Sequence, residues 1–192
     1  MQPHLFTVDT ALLTNRVLVR RFREGDGGAF FELLQNNAAQ IQDHFAPLAG
    51  EVTHPHEAEA FIRRRLAAWL LQEDYLFGIW RSDEADLIGF IGFTDLDWQA
   101  ERAEISYFLD HRHTGKGYMT EAMARVVTFG FKQLQLVKIA LKTLAENAAS
   151  QRLARKVGFR REGDLRAEYR KPSGAREDIT LFGLTRQEYG LN

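Results

Sequence analysis

Arg112-His113-Thr114-Gly115-Lys116-Gly117 separates two segments of different periodicity, and its position between them decides the fold. Upstream, Ala103 to Asp110 (AEISYFLD) alternates as a strand does; downstream, Tyr118 to Leu134 carries apolar residues at helical spacing. A glycine-rich turn that opens a helix suits an anion. The first backbone N–H groups of the helix have no partners within it, and the aligned peptide dipoles favour negative charge there. Gly115 and Gly117 lack a Cβ, so a phosphate can approach the main chain closely. Gly117 stands where a Walker loop needs Ser or Thr, and Thr120 where a dinucleotide fingerprint needs its third glycine. Taken alone, the turn is equally compatible with a plain strand-to-helix connection.

Outward from this turn, helices and strands mix along a single unit. Arg16 to Phe22 (RVLVRRF) reads as a first strand, and Gly25-Asp26 precedes a helix through Phe30, Phe31, Leu33 and Leu34. A short helical piece spans Ala38 to Phe45, and a long helix runs from about Pro55 to Glu73, with Phe61, Ile62, Leu66, Trp69 and Leu70 on its buried side. Tyr75 to Arg81 and Leu87 to Thr94 form two hairpin-like strands joined by the turn-rich Ser82 to Asp86. Beyond the glycine turn and its helix, Val137 to Ala145 alternates as a strand with one wet face. Asn147 caps a helix that runs to Val157, and Gly158 ends it. Phe159 to Tyr169 and Glu177 to Leu184 are strands around the turn Lys171-Pro172-Ser173-Gly174.

A second motif lies in register with the first. Asn147-Ala-Ala-Ser150, followed by Leu153, Arg155-Lys156 and Gly158-Phe159, is similar to the segment that flanks pantetheine and thiol in the GNAT superfamily of acetyl-CoA-dependent N-acetyltransferases. With AEISYFLD and RHTGKGYMTEA in the same order, the resemblance covers about residues 16 to 189. It is closest to the ribosomal-protein N-terminal acetyltransferases of the RimJ/RimL type. The resemblance implies one N-acetyltransferase domain over residues 1–192, of α/β class (α+β in some schemes). Its fold would be a single mixed, mostly antiparallel twisted sheet with helices on both faces and a splayed central strand pair.

The same resemblance assigns candidate roles. Backbone amides from Gly115 to Met119, with the side chain of Arg112 or Lys116 nearby, would hold the pyrophosphate of acetyl-CoA, and His113, Thr114 and Tyr118 of the same loop and Asn147 further along are cofactor-binding candidates with them. A backbone N–H freed by the splayed strand, near Phe108 or Leu109, would meet the thioester carbonyl. Glu168 in RAEYR corresponds to the base and Ser150 to the acid that protonates the coenzyme A sulfur, with Glu104 and Tyr169 on the substrate side. Chemistry asks for such a set. An α-amino group with pKa of about 8 is mostly protonated at neutral pH, so a base helps, and a departing thiolate needs a proton. Against these roles, Asn147 is also a good helix N-cap, Glu168 between Arg166 and Arg170 could be a solvated strand carboxylate, and Glu104 could form a cross-strand ion pair. Tyr107, Tyr118 and Tyr169 are alternative proton donors or substrate contacts, with core or rim packing the plainer role for each.

Composition narrows the remaining choices. The 192 residues fit one domain, and 45% apolar residues with 14 Phe build a substantial core. A formal net charge of −1 argues against a dedicated nucleic-acid binder, and no apolar run suits a membrane span or a secretory leader, so a cytoplasmic location is expected. With no cysteine, a cysteine acyl-enzyme is excluded and attack within a ternary complex is expected. His54/His56 and His111/His113 lack the accompanying ligands of a metal site, so no metal is expected. Arg63-Arg64-Arg65 reads as a wet helix face, or else as a contact for an acidic protein or ribosomal surface. Three functions follow: acetylation of a protein N-terminal amine, acetylation of a small amine (polyamine, amino acid or aminoglycoside), or non-catalytic acyl-CoA binding. Homodimerisation fits the family resemblance and is not visible in the residues.

Overall fold

The computed structural model describes residues 8–84 and 86–191. The elements are β1 (Ala11–Leu13), β2 (Val17–Arg21), α1 (Gly27–Asn36), α2 (Ala38–His44), α3 (Ala46–Glu51), α4 (Pro55–Leu70), β3 (Tyr75–Arg81), β4 (Leu87–Asp97), β5 (Arg102–Leu109), α5 (Tyr118–Lys132), β6 (Lys138–Leu144), α6 (Ala148–Val157), β7 (Arg160–Arg170) and β8 (Arg176–Thr185). A 3-10 turn at His111–His113 joins β5 to the glycine loop. The strands form one sheet in the order β1-β2-β3-β4-β5-β6-β8-β7. Only β5 and β6 pair in parallel among the described residues; the other neighbours are antiparallel.

Alternation along each strand sends side chains to opposite faces, and helices cover both. On one face, Met119, Ala122, Met123, Val126 and Val127 of α5 recur at helical spacing and pack on Phe77, Ile79, Ile91, Phe93 and Ile105. On the other face, Phe30, Leu33 and Leu34 of α1, Ile41 of α2 and Phe61 and Ile62 of α4 enclose Trp80, Phe90 and Phe108. Within β5, Tyr107 and Leu109 therefore lie toward α5, while Phe108 lies toward α1 and α2.

Two elements, β1 and α3, were not expected from periodicity. Three and six residues are too short to display a period. β4 also runs on to Asp97, past the expected end at Thr94. Leu70 is 75% exposed rather than buried, because it sits one helical step of about 100° beyond Trp69, which takes the inward position. The three consecutive arginines of α4 each meet a carboxylate of the same chain: Arg63 pairs with Glu59, Arg64 with Glu51, and Arg65 with Asp74 at 2.6 Å.

The decisive irregularity lies at the parallel pair. β5 and β6 are in register only at Arg102↔Lys138, Ala103↔Ile139 and Glu104↔Ala140. β5 then stays with β4 as far as Leu109, and β6 stays with β8 as far as Leu144. The sheet thus opens as a V between Ile105 and Leu109 on one arm and Leu141 and Leu144 on the other.

Candidate active site

The V is the floor of a cleft of about 830 Å³. The glycine loop and the start of α5 form one end, the first turn of α6 one wall, and α2 with the bulged part of β7 the other. Ser150, Glu168, Leu109, Gly115 and Gly117, all selected from sequence, line this one space.

Glycine is needed twice at the loop. Gly115 and Gly117 have φ of 73° and 86°, in the left-handed region that a side chain disfavours. Gly117 is the N-cap of α5, and its carbonyl accepts from the Glu121 N–H, which leaves the amides of Tyr118, Met119 and Thr120 without intrahelical partners. A Cβ on Gly115 would meet nothing within 4 Å, so the main chain there is open to the cleft. An anionic diphosphate fits this cradle, since N–H donors and a helix dipole converge on bare backbone.

The loop is held from both sides by residues outside the motif. Arg16 donates from Nη1 to the Lys116 carbonyl at 2.9 Å and from Nε to Glu121 at 2.6 Å. On the other side, fully buried Asp110 accepts from the Arg112 main-chain N–H at 2.9 Å and from Arg112 Nη2 at 2.6 Å. Burial alone would push the Asp110 carboxyl up, but the Arg112 side-chain and backbone donors outweigh it and hold the pKa at about 2. Buried Asn37 of α1's end accepts from the His111 N–H at 3.0 Å.

These contacts sort the loop candidates. Thr114, Gly115, Gly117 and Met119 line the cleft. Arg112 is turned onto Asp110, and the Lys116 and Tyr118 side chains are not among the lining groups; Tyr118 lies under the Arg16 guanidinium at 4.8 Å. His113 has its Nδ1 buried, and burial is the main reason its pKa is lowered. Asn147 caps α6 by accepting from the Ser150 N–H at 3.0 Å.

β5 supplies the inner wall. The Asp110 N–H donates to the Ile88 carbonyl of β4 at 2.8 Å. Backbone donors alternate sides along a strand, so the N–H of Phe108 faces β4 as well, and those of Tyr107 and Leu109 face the gap. Between the two residues proposed for this role, geometry favours Leu109. The Tyr107 hydroxyl lies 2.6 Å from Ser150 Oγ across the gap.

Charge gathers on the opposite face of the V. Glu104 pairs with Lys142 of β6 at 2.8 Å, and this bond is the foremost cause of the raised Lys142 pKa, to which Glu168 adds. Glu168 itself is exposed and lies within a bulge of β7, between Leu165 and Tyr169, which oppose Ile179 and Glu177. Ala167 inside that bulge has φ of 53°, and its N–H donates to Asp178 at 2.7 Å. Tyr169 donates to the Asp43 carbonyl of α2 at 2.8 Å, which ties β7 to the α2 wall. Sequence reasoning missed the roles of Arg16, Asp110 and Asp178, and weighed Tyr107 mainly as a packing residue. No group of three or more His, Asp or Glu arranged for a metal occurs among the described residues.

A mixed sheet split at its parallel pair, with a glycine-opened helix at the mouth of the split, defines the GNAT class of folds. Residues 16–160 match the family described as Acetyltransferase (GNAT) domain, and the chain belongs to that family. It is 30% identical over 175 residues to the uncharacterized N-acetyltransferase YoaA of Bacillus subtilis (strain 168), covering 91% of this chain and 96% of that one. The ribosomal-protein-serine acetyltransferase of Escherichia coli (strain K12) is 32% identical over 108 residues, 56% of this chain and 58% of that one. Among solved structures, RimL, a ribosomal L7/L12 alpha-N-protein acetyltransferase in complex with coenzyme A, superposes with a TM-score of 0.83 at 19% identity, covering 91% of this chain and 96% of that chain.

Proposed function

We propose that this N-acetyltransferase moves the acetyl group of acetyl-CoA directly to the N-terminal α-amine of a protein, of ribosomal-protein type. One observation carries the reading: the open loop Gly115–Gly117, the Leu109 N–H, Ser150 and Glu168 all face a single cleft that passes through the split sheet. When bound, acetyl-CoA supplies an activated acyl group. The amides that follow Gly117 hold its diphosphate, and the Leu109 N–H faces the charge that develops on the carbonyl oxygen. Ser150, in the first turn of α6, gives a proton to the sulfur as the C–S bond breaks, where the helix dipole already favours negative charge, and its oxygen regains a proton from the nitrogen that has bonded to the acyl carbon. Glu168, on the opposite wall, takes the proton that the amine must lose before it attacks. No thiol exists to carry the acyl group between them, since the chain has no cysteine.

The protein acceptor is supported by the ribosomal-protein acetyltransferases among the relatives and by the exposed Gln40, His44 and Glu168 that line the cleft on the side of α2 and β7. Glu104 and Tyr169 border that side and contact the acceptor. The deciding measurement is acetyl transfer to peptides with free N-termini, assayed beside polyamines, amino acids and aminoglycosides. Peptide α-amines are expected to be acetylated in preference to the small amines. Preference for a small amine would replace the acceptor assignment, and tight acetyl-CoA binding without transfer to any member would indicate a binding module. Glu168→Gln should lower kcat by about 10²-fold, with the deficit greatest at low pH, where the amine depends most on a base.

A further inference from the structure

We infer that Tyr107 is a positioning residue for Ser150: its phenol donates to Ser150 Oγ and thereby turns the serine's own hydrogen into the cleft, toward the sulfur of the bound thioester. This rests on the acid role of Ser150 proposed above and adds a residue from a different element to it.

The geometry begins with β5. Tyr107 lies two residues before Leu109, so its ring emerges on the α5 side of the sheet, at the level where β5 has already parted from β6. There the ring reaches the first turn of α6. Its hydroxyl ends 2.6 Å from Ser150 Oγ, a distance at the short end for two hydroxyls. Both residues line the cleft.

Direction follows from acidity. Either oxygen could be the donor on distance alone, yet a phenol, with an ordinary pKa of about 10, is a far stronger acid than an aliphatic alcohol and donates in preference. Burial pushes the Tyr107 phenol up against the smaller opposing pull of Ser150, so it keeps its proton at neutral pH. Ser150 has one hydrogen and two lone pairs. Its main chain is already fixed, because its N–H donates to Asn147 Oδ1 at 3.0 Å. Accepting from Tyr107 occupies a lone pair and leaves the serine hydrogen to point elsewhere, and a hydroxyl that accepts a bond also donates more strongly. Were the bond reversed, the hydrogen needed by the leaving thiolate would be directed at Tyr107.

The test compares wild type, Tyr107→Phe, Ser150→Ala and the double variant. Phenylalanine keeps the ring and its packing, and thermal transitions within about 3 °C of wild type, equivalent to roughly 1 kcal/mol, would document this. Tyr107→Phe is expected to lower kcat about tenfold with the KM for acetyl-CoA within twofold, and to have no further effect once Ser150 is alanine. A second readout needs no turnover. Calorimetric affinity for free coenzyme A should rise between pH 7 and pH 9.5 in wild type, as the bound thiolate accepts from Ser150, and rise less in Tyr107→Phe and Ser150→Ala alike. If Ser150→Ala lowers kcat and Tyr107→Phe does not, the positioning role is wrong while the acid role stands. Additive losses in the double variant would also overturn it, since Tyr107 would then act independently. If Ser150→Ala itself leaves kcat and the pH dependence of binding unchanged, the acid assignment fails first.

Discussion

Single side chains decide whether the loop is preorganised. Asp110 is wholly enclosed at the end of β5, yet it is charged, because Arg112 donates to it from both main chain and guanidinium. A carboxyl held at about 2, below its ordinary 3.8, favours the folded state while it is ionised. That contribution is complete above the unfolded value and fades as pH falls through the folded one. Asp110→Asn, which keeps the shape and removes the charge, should therefore cost about 2 kcal/mol at pH 6 and roughly half as much at pH 3. Urea unfolding of both proteins at the two pH values measures this. A difference that stays constant, or grows as the solution is acidified, would show that the charge is not what Asp110 contributes. The same pair explains why Arg112, a candidate phosphate ligand in the linear sequence, is turned onto Asp110 and does not line the cleft: a buried carboxylate left without it would be costly.

At the scale of elements, the site is made by departures from regular structure. The β5–β6 ladder stops after three paired residues, and β7 carries extra residues opposite β8. The bulge places Glu168 next to Ala167 in a left-handed conformation that a non-glycine residue adopts at a cost of order 1 kcal/mol. Asp178 accepts from the Ala167 N–H at 2.7 Å and Arg176 donates to its carbonyl at 3.0 Å, so the two hold the bulge from β8. Replacing Asp178 with Ala should lower the melting temperature only slightly, since one exposed hydrogen bond is worth about 1 kcal/mol. It should lower kcat about tenfold through misplacement of Glu168, with unchanged affinity for coenzyme A. Full activity in that variant would remove Asp178 from any positioning role.

Across the whole molecule, stability and chemistry are separated in space. Phe129 lies near the far end of α5, where its ring meets Trp69, Tyr75 and Phe77 at centroid distances of 6.3, 5.7 and 5.2 Å. The twelve residues back to Gly117 correspond to about 18 Å of helix, which sets this cluster well away from the cofactor loop. Phe129→Ala should cost about 3–5 kcal/mol and lower the melting temperature by roughly 10 °C, yet leave coenzyme A affinity at 20 °C within twofold. A parallel loss of affinity would mean that the α5 core and the loop are coupled. Among the described residues no helix is long and apolar enough to cross a membrane.

Local rules of the sequence determined the order of the longer elements and both ends of the site. Gly115 and Gly117 occupy conformations that exclude a Cβ's usual preference, Asn147 caps α6, and apolar spacing marked α5 and most strands within a few residues. These depend on neighbours in the chain, so periodicity and capping chemistry expose them. The partnership of Tyr107 with Ser150, the hold of Arg16 on the loop carbonyl of Lys116, and the bulge that sets Glu168 beside the cleft were decided only in three dimensions. Their partners lie up to a hundred residues apart, and which side chain meets which depends on ladder register and on where two strands part, quantities that no local pattern encodes.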